Sequence, residues 1–410
     1  MVLKNIISIP RSHLSRVFLI FLIGFTNNVL PIIILLLKKT NAMTTRQAVQ
    51  LQFIFFICHF LVIIPGFKMI MKIGPEKLAH YATQICIVAL LLVGVVIQYH
   101  HISLLSASLM LLACGLGLLR VTVNASLINQ QKDSNYHQYI MKVMCADTIG
   151  SLLSPTISAY YLLPHQNSDV INSMPYPLLF FAALGLCYYS TLLDGVKDVN
   201  SDPFVDQRPI STSFYAAIKN KSVRSGFWMI FIFIGLEFSI PLFIGLIAHT
   251  TASTHRLNDS FLISVYWTLI LLGRIMTILW QKKSVPSKQI EQGAIINILI
   301  IGISMLVSQE YQLWVLCALG FFNAQLYPAI FSLHTKNLDA NLHTISSGVF
   351  LMGLSGGAVV PYLQTLVGDH FGLTVSFSVI VLCYLALIWK QRKQVKRLAQ
   401  QVQNHAEVAV

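Results

Sequence analysis

Charge is scarce in this 410-residue chain: 10% of its residues are Asp, Glu, Lys or Arg, against roughly 25% in soluble domains. Of the charged residues the acidic ones are the fewer, 15 against 28 Lys and Arg. With 55% hydrophobic residues and a mean hydropathy of +0.69, a soluble core could not hide the apolar side chains, so lipid must be part of the solvent. The sequence also lacks a C-x-x-C pair. Cys58, Cys86, Cys114, Cys145, Cys187, Cys317 and Cys383 all sit inside apolar segments, which argues against a disulfide framework or a metal site. No metal-ligand cluster and no nucleophile motif with a plausible partner faces a water layer, so neither an enzyme nor a cofactor is expected. No A-x-A-like cleavage site follows Lys4, Arg11 and Arg16, and the first apolar segment is expected to stay as a span. The formal charge of +13 would suggest nucleic acid on a soluble protein. Here the basic residues sit mostly between apolar segments, where they fix topology, and no nucleic-acid partner is expected.

What is present is a series of apolar runs, each near the 20 residues or so that a helix needs to cross a bilayer. They predict an all-α membrane protein with spans at 15–37, 50–70, 79–98, 103–127, 139–162, 176–194, 224–249, 260–280, 291–308, 311–333, 344–366 and 372–389. The seventh to ninth are the least sharply separated. Of the 28 Lys and Arg, 22 border one side, 4 (Lys38, Lys39, Arg46 and Arg256) border the other, and Arg120 and Arg274 lie within spans. The excess of positive charge marks the cytoplasmic side and places both termini there. The polar stretch 195–222 divides the chain into an N-terminal six-helix bundle, 1–194, and a C-terminal one, 223–410, with a basic tail after Ile388 that is expected to be a plain solvated segment, a basic helix on the membrane surface being the alternative.

The two halves repeat each other. Gly24 and Pro31 in span 1 correspond to Gly235 and Pro241 in span 7, and Gly150 to Pro155 in span 5 has the spacing of Gly356 to Pro361 in span 11. GLLRVTVNA from Gly117 aligns with GFFNAQLYP from Gly320, so Arg120 takes the place of Asn323; PGFKMIMK from Pro65 resembles LGRIMTIL from Leu272. Two six-span halves in the same order predict the major facilitator architecture. Pro31, Pro155, Pro241, Pro328 and Pro361 interrupt spans 1, 5, 7, 10 and 11; the carbonyls they free must be satisfied by neighbouring helices or water.

Ionisable groups within spans are expensive, so they are expected to face the bundle interior. Arg120 and Asp147 sit at similar depth on neighbouring antiparallel spans, so an ion pair between them is geometrically reasonable; it would either pin two helices or contribute to binding. Glu237 lies nearer the midplane with no basic residue obviously committed to it, and Arg274 lies closer to the mouth of span 8. Asn27, Asn28, Asn124, Asn323 and Gln325 add amides, which suit hydroxyl-rich solutes and also serve as interhelical glue. His59 reads as a packing residue. The tryptophans read as an interfacial belt, with Trp267 the candidate exception.

LLGRIMTILW (271–280), GFFNAQLYPAIFSLHTKNL (320–338) and SSGVFLMGLSGGAVVP (346–361) resemble the fucose/glucose/galactose–proton symporter family of the major facilitator superfamily. The run Tyr327-Pro328-Ala329-Ile330-Phe331-Ser332-Leu333 is its strongest element, and Glu237 stands where the family often has an acid or amide. GLGLLRVTVN (115–124) is similar to the family's fourth-span motif, with Asn124 matching and Arg120 standing where the family has a glutamate. Asn28 stands where the family has an aspartate, and Asp147 where it tends to place an amide. The resemblance implies the fold and a transport role; it transfers hexose specificity and proton coupling poorly, because the glutamate and aspartate that carry them are both replaced.

The combined expectation is a monomeric secondary transporter in the cytoplasmic membrane, moving a small polar solute, a sugar or sugar derivative. Asn27, Asn28, Arg120, Asn124, Glu237, Asn323 and Gln325 would bind the solute, and Asp147, Glu237 and Arg120 would serve proton coupling or ion pairing. The alternatives are an organic-anion carrier using Arg120 and a membrane sensor derived from a transporter.

Overall fold

The computed structural model describes residues 14–39, 43–99, 101–128, 136–162, 175–194, 210–251, 259–280, 285–335, 338 and 340–408. Among these residues twelve spans follow in the predicted order. Span 1 is Leu14–Asn27 continued by Val29–Lys39; spans 2 to 6 are Thr45–Ile73, Pro75–Gln98, Ile102–Ile128, Tyr136–Leu162 and Pro175–Asp194. Spans 7 to 9 are Lys221–Thr251, Asp259–Trp280 and Pro286–Ser304. Span 10 is assembled from Gln309–Cys317, Leu319–Asn323 and Leu326–Thr335, and span 11 from Ala340–Met352, the 3-10 turn Gly353–Ser355 and Gly356–Phe371. Span 12 is the first part of Phe377–Val408. Eight of the twelve, among the described residues, are long and apolar enough to cross a bilayer on that criterion alone; spans 5, 6, 9 and 12 complete the bundle. The exterior is apolar, with Leu61, Leu91, Leu299 and Leu382 exposed, as lipid contact requires.

Of the two readings of the tail after Ile388, the helical one holds: it continues span 12 as helix through Val408. Span 12 also starts later than expected, because Gly372 turns the chain at φ +93° and residues 373–376 form turns. The stretch expected to be a linker contains the helix Ile210–Lys219, whose Phe214 packs against Phe67 of span 2 with ring centroids 5.4 Å apart; its residues 195–209 lie outside the described residues.

The repeat seen in the sequence is a repeat of packing. Within the halves span 1 lies on span 5 as span 7 lies on span 11; spans 2 and 4 pair as do 8 and 10, and spans 3 and 6 as do 9 and 12. Span 5 crosses to span 8, and span 2 to span 11, joining the halves. The repeated glycines are the crossing points: a Cβ on Gly24 would strike the Asp147 carbonyl, and one on Gly150 the Phe21 carbonyl. In the second half a Cβ on Gly356 would strike the Phe231 carbonyl, and one on Gly235 the side chain of Val360. Small residues there let backbones approach closely, the main device for packing helices where no hydrophobic force separates protein from lipid.

The prolines act where the sequence places them. Span 1 breaks at Asn28, three residues before Pro31, and span 10 breaks between Asn323 and Leu326, just before Pro328. Pro361 cannot donate to the carbonyl of Gly357; Gln52, from the other half, donates to it instead at 3.2 Å. A freed backbone group thus becomes an inter-half hydrogen bond.

Candidate functional site

A cleft of about 1100 Å³, counting its open mouth, lies between the halves. Span 1 contributes Asn27 and Asn28, span 4 Arg120 and Asn124, and span 5 Asp147 and Ser151. The second half contributes Glu237 and Phe238 from span 7, Trp267 from span 8, and Tyr327, Phe331 and Phe350 from spans 10 and 11. Most of these residues belong to the half of the bundle nearer the chain termini. On the far side the halves meet: the Gly245 backbone is close enough to span 1 that an added Cβ would lie 3.2 Å from Leu35. Phe56 of span 2 and Phe238 of span 7 pack at 4.6 Å between ring centroids, also on that boundary.

The span 1–span 5 crossing builds the polar wall of the first half. Where Gly24 admits span 5, the Asn28 side chain donates to the Gly24 carbonyl at 3.1 Å and Ser151 donates to the same oxygen at 3.4 Å. Asn27, three residues beyond Gly24, and Asp147, whose backbone meets Gly24, both line the cleft beside this crossing. The Oδ1 of Asn27, the Nδ2 of Asn124 and the Nε of Arg120 are buried without a protein hydrogen bond. So is the indole N–H of Trp267, a residue 1% exposed. Buried polar atoms are normally paired; these converge on a space that can hold their partner.

Arg274 is the residue that sequence reasoning undervalued. It is wholly buried, and its guanidinium spans three helices and both halves. One nitrogen donates to the Met144 carbonyl of span 5 at 2.6 Å and to the Thr148 hydroxyl; another lies 3.3 Å from Glu237 Oε1 on span 7. Glu237 is therefore not free of a basic partner, as the sequence suggested, and Arg274 is not a residue of the mouth. A signal was available: Arg274 follows Trp267 by seven residues, two helical turns, and so shares its buried face.

Arg120 and Asp147 share the cleft, yet among the described residues no ion pair joins them. With Arg274 beside Glu237, the site holds two cations and two carboxylates and is formally balanced, while Arg120 and Asp147 both remain available to a ligand. Asn323 and Gln325 do not line the cleft. Asn323 Oδ1 accepts from Asn297 at 2.9 Å and from the Tyr384 hydroxyl at 2.7 Å, and its amide donates to the Tyr266 hydroxyl at 3.3 Å. This buried cluster ties spans 8, 9, 10 and 12 together, so Asn323 is interhelical glue. Gln325 lies beside Gly293 of span 9. His59 is a packing residue, with its ring against Phe55 at 4.8 Å.

These features match known proteins along nearly the whole chain. The profile of the Major Facilitator Superfamily matches residues 17–361. A glucose/galactose transporter of Brucella abortus is 22% identical over 379 residues, 90% of each chain. The L-fucose-proton symporter of Escherichia coli is 23% identical over 413 residues, 92% of this chain and 91% of the symporter. The crystal structure of the transporter FucP in an outward conformation superposes with a TM-score of 0.73 at 19% identity, covering 94% of this chain and 98% of FucP. Pseudo-symmetric halves, a polar cleft between them and a family match over most of the length lead to one assignment: the chain belongs to the major facilitator superfamily of membrane transporters.

Proposed function

We propose that this transporter carries a sugar or a sugar derivative by rocking its two six-helix halves, 1–194 and 223–410, about the cleft, as a monomer in the cytoplasmic membrane. The carrying observation is the set of unpartnered amide, indole and guanidinium groups drawn from both halves onto one cleft. Amides donate and accept at once, as a ring of hydroxyls requires, and a flat indole suits the apolar face of a pyranose. The sugar-transporting relatives support the same class of solute. The 22-to-4 division of basic residues supports a cytoplasmic location for both termini.

Proton coupling, if a gradient drives uptake, is assigned to Asp147 first and Glu237 second. Asp147 faces the cleft with no ion pair among the described residues, whereas Glu237 is engaged by Arg274. The test is uptake of labelled hexoses by proteoliposomes with and without an inward proton gradient. Wild-type protein is expected to accelerate with the gradient, and Asp147→Asn to lose that acceleration while retaining solute exchange. Gradient dependence that survives Asp147→Asn but not Glu237→Gln moves the role to Glu237; gradient-driven uptake unchanged in both removes it from the two acids.

A second reading rests on Arg120, a cleft guanidinium without an ion-pair partner among the described residues: the solute would be an organic anion. Competition decides between them. Glucuronate displacing a labelled hexose far better than unlabelled hexose does would favour the anion; the reverse favours the neutral sugar.

A further inference from the structure

The helix that continues from span 12 carries Lys390, Lys393 and Arg397 at spacings of three and four residues, so the three share one face. They stand beside Arg224, four residues into span 7. The helix is held in place and is not a free tail. Gln394 donates to the Ser222 hydroxyl at 3.1 Å, fastening it to the start of span 7, and Arg392 on another face pairs with Glu291 of span 9.

Among the described residues the basic face has no such carboxylate. Partial burial, and then the charges of Lys393, Arg397 and Arg224, hold the Lys390 ammonium below the ordinary lysine pKa; like charges have been brought together, and no described carboxylate pairs with them. Two tryptophans flank the cluster. Lys390 lies 5.8 Å from the Trp228 ring and Lys393 lies 5.0 Å from the Trp389 ring, and these indoles are 44% and 60% exposed. Exposed tryptophan marks the headgroup level of a bilayer, so the cations sit where lipid phosphates lie.

We infer that the seam between span 7 and the helical continuation of span 12 is a binding site for an anionic phospholipid, whose phosphate is held by Lys390, Lys393, Arg397 and Arg224 while its acyl chains follow the Trp228 and Trp389 surface. Basic residues near membranes also serve topology, which demands charge but no particular arrangement. Convergence of two chain-distant helices on one four-cation cluster, fixed by hydrogen bonds and bracketed by indoles, is what a headgroup site adds. The inference rests on membrane residence alone and is independent of the solute in the cleft.

Native mass spectrometry of the full-length detergent-solubilised protein, titrated with phosphatidylglycerol or phosphatidylcholine, tests it. Phosphatidylglycerol is expected to bind in preference to phosphatidylcholine. The variant K390Q/K393Q/R397Q is expected to weaken that binding at least about tenfold, since each basic residue near an anionic headgroup contributes several-fold. K68Q/K72Q/K77Q removes the same charge from the exposed end of span 2 and the start of span 3, and is expected to keep it. K393Q/R397Q gives the same direction should the triple variant fail to fold. Equal binding of the two lipids, undiminished binding by the seam variants, or equal loss in the span 2–3 variant would overturn the inference. So would displacement of phosphatidylglycerol by excess inorganic phosphate, which would make this a site for the free ion.

Discussion

Arg274→Met is expected to abolish transport and to destabilise the folded protein by about 3–5 kcal/mol, the cost of breaking a buried ion pair by removing one partner. Methionine keeps an aliphatic stem of similar calibre, so what is lost is the guanidinium with its charge and donors. It leaves the Glu237 carboxylate without its guanidinium at 3.3 Å, and the Met144 carbonyl and Thr148 hydroxyl without a donor from the opposite half. The purified variant's thermal midpoint and its exchange activity are the two readouts. Arg274→Lys keeps the charge but not the planar fork that reaches span 5 and span 7 together, and should recover stability more than transport. The double variant Arg274→Met/Glu237→Gln removes both charges and should regain much of the lost stability. If it is no more stable than Arg274→Met alone, the pair is not what holds spans 5, 7 and 8 in register.

Gly356→Leu is expected to cost at least about 3 kcal/mol, at or beyond the upper range for overpacked sites, because even its Cβ would fall within the Phe231 carbonyl. A backbone group cannot rotate away as a side-chain tip can, so spans 7 and 11 would have to separate. That separation also pulls Gln364 from Ser239, a 2.5 Å hydrogen bond between the same two spans. Gly302→Leu in span 9 is the matched control: nothing lies within 4 Å of a Cβ there, and the added side chain meets lipid. Thermal unfolding of the two variants in one detergent should separate them clearly; equal stability would remove the glycine crossings as the reason the repeat exists.

Much of this fold is legible in the sequence because the bilayer simplifies the problem. Apolar runs of bilayer length must be helices, and the glycine and proline positions shared by the halves mark the crossings that repeat in space. The linker helix Ile210–Lys219 was not legible: at 10 residues it offers no span-length signal, and its place is set by Phe214 meeting Phe67. The lining of the candidate cleft was legible where a polar side chain interrupts an apolar run, as at Asn27, Asn28, Asn124, Asp147 and Glu237. It was misread in two ways. Asn323 occupies Arg120's place in the repeat, but span 10 is broken on both sides of Leu319–Asn323, and this piece turns the amide toward Tyr266, Asn297 and Tyr384. Arg274 was placed by its Cα depth, whereas a long side chain acts where its guanidinium ends, across the boundary between the halves.

Exchange of labelled hexose across proteoliposome membranes, measured for the wild-type chain and for Asn124→Trp, bears most directly on the cleft as the place where solute is carried. The wild-type chain should show saturable exchange, and Asn124→Trp, folded to the same thermal midpoint but with an indole projecting into the cleft, should fall to the level of empty liposomes. A folded Asn124→Trp protein that exchanges solute as fast as the wild type would contradict it.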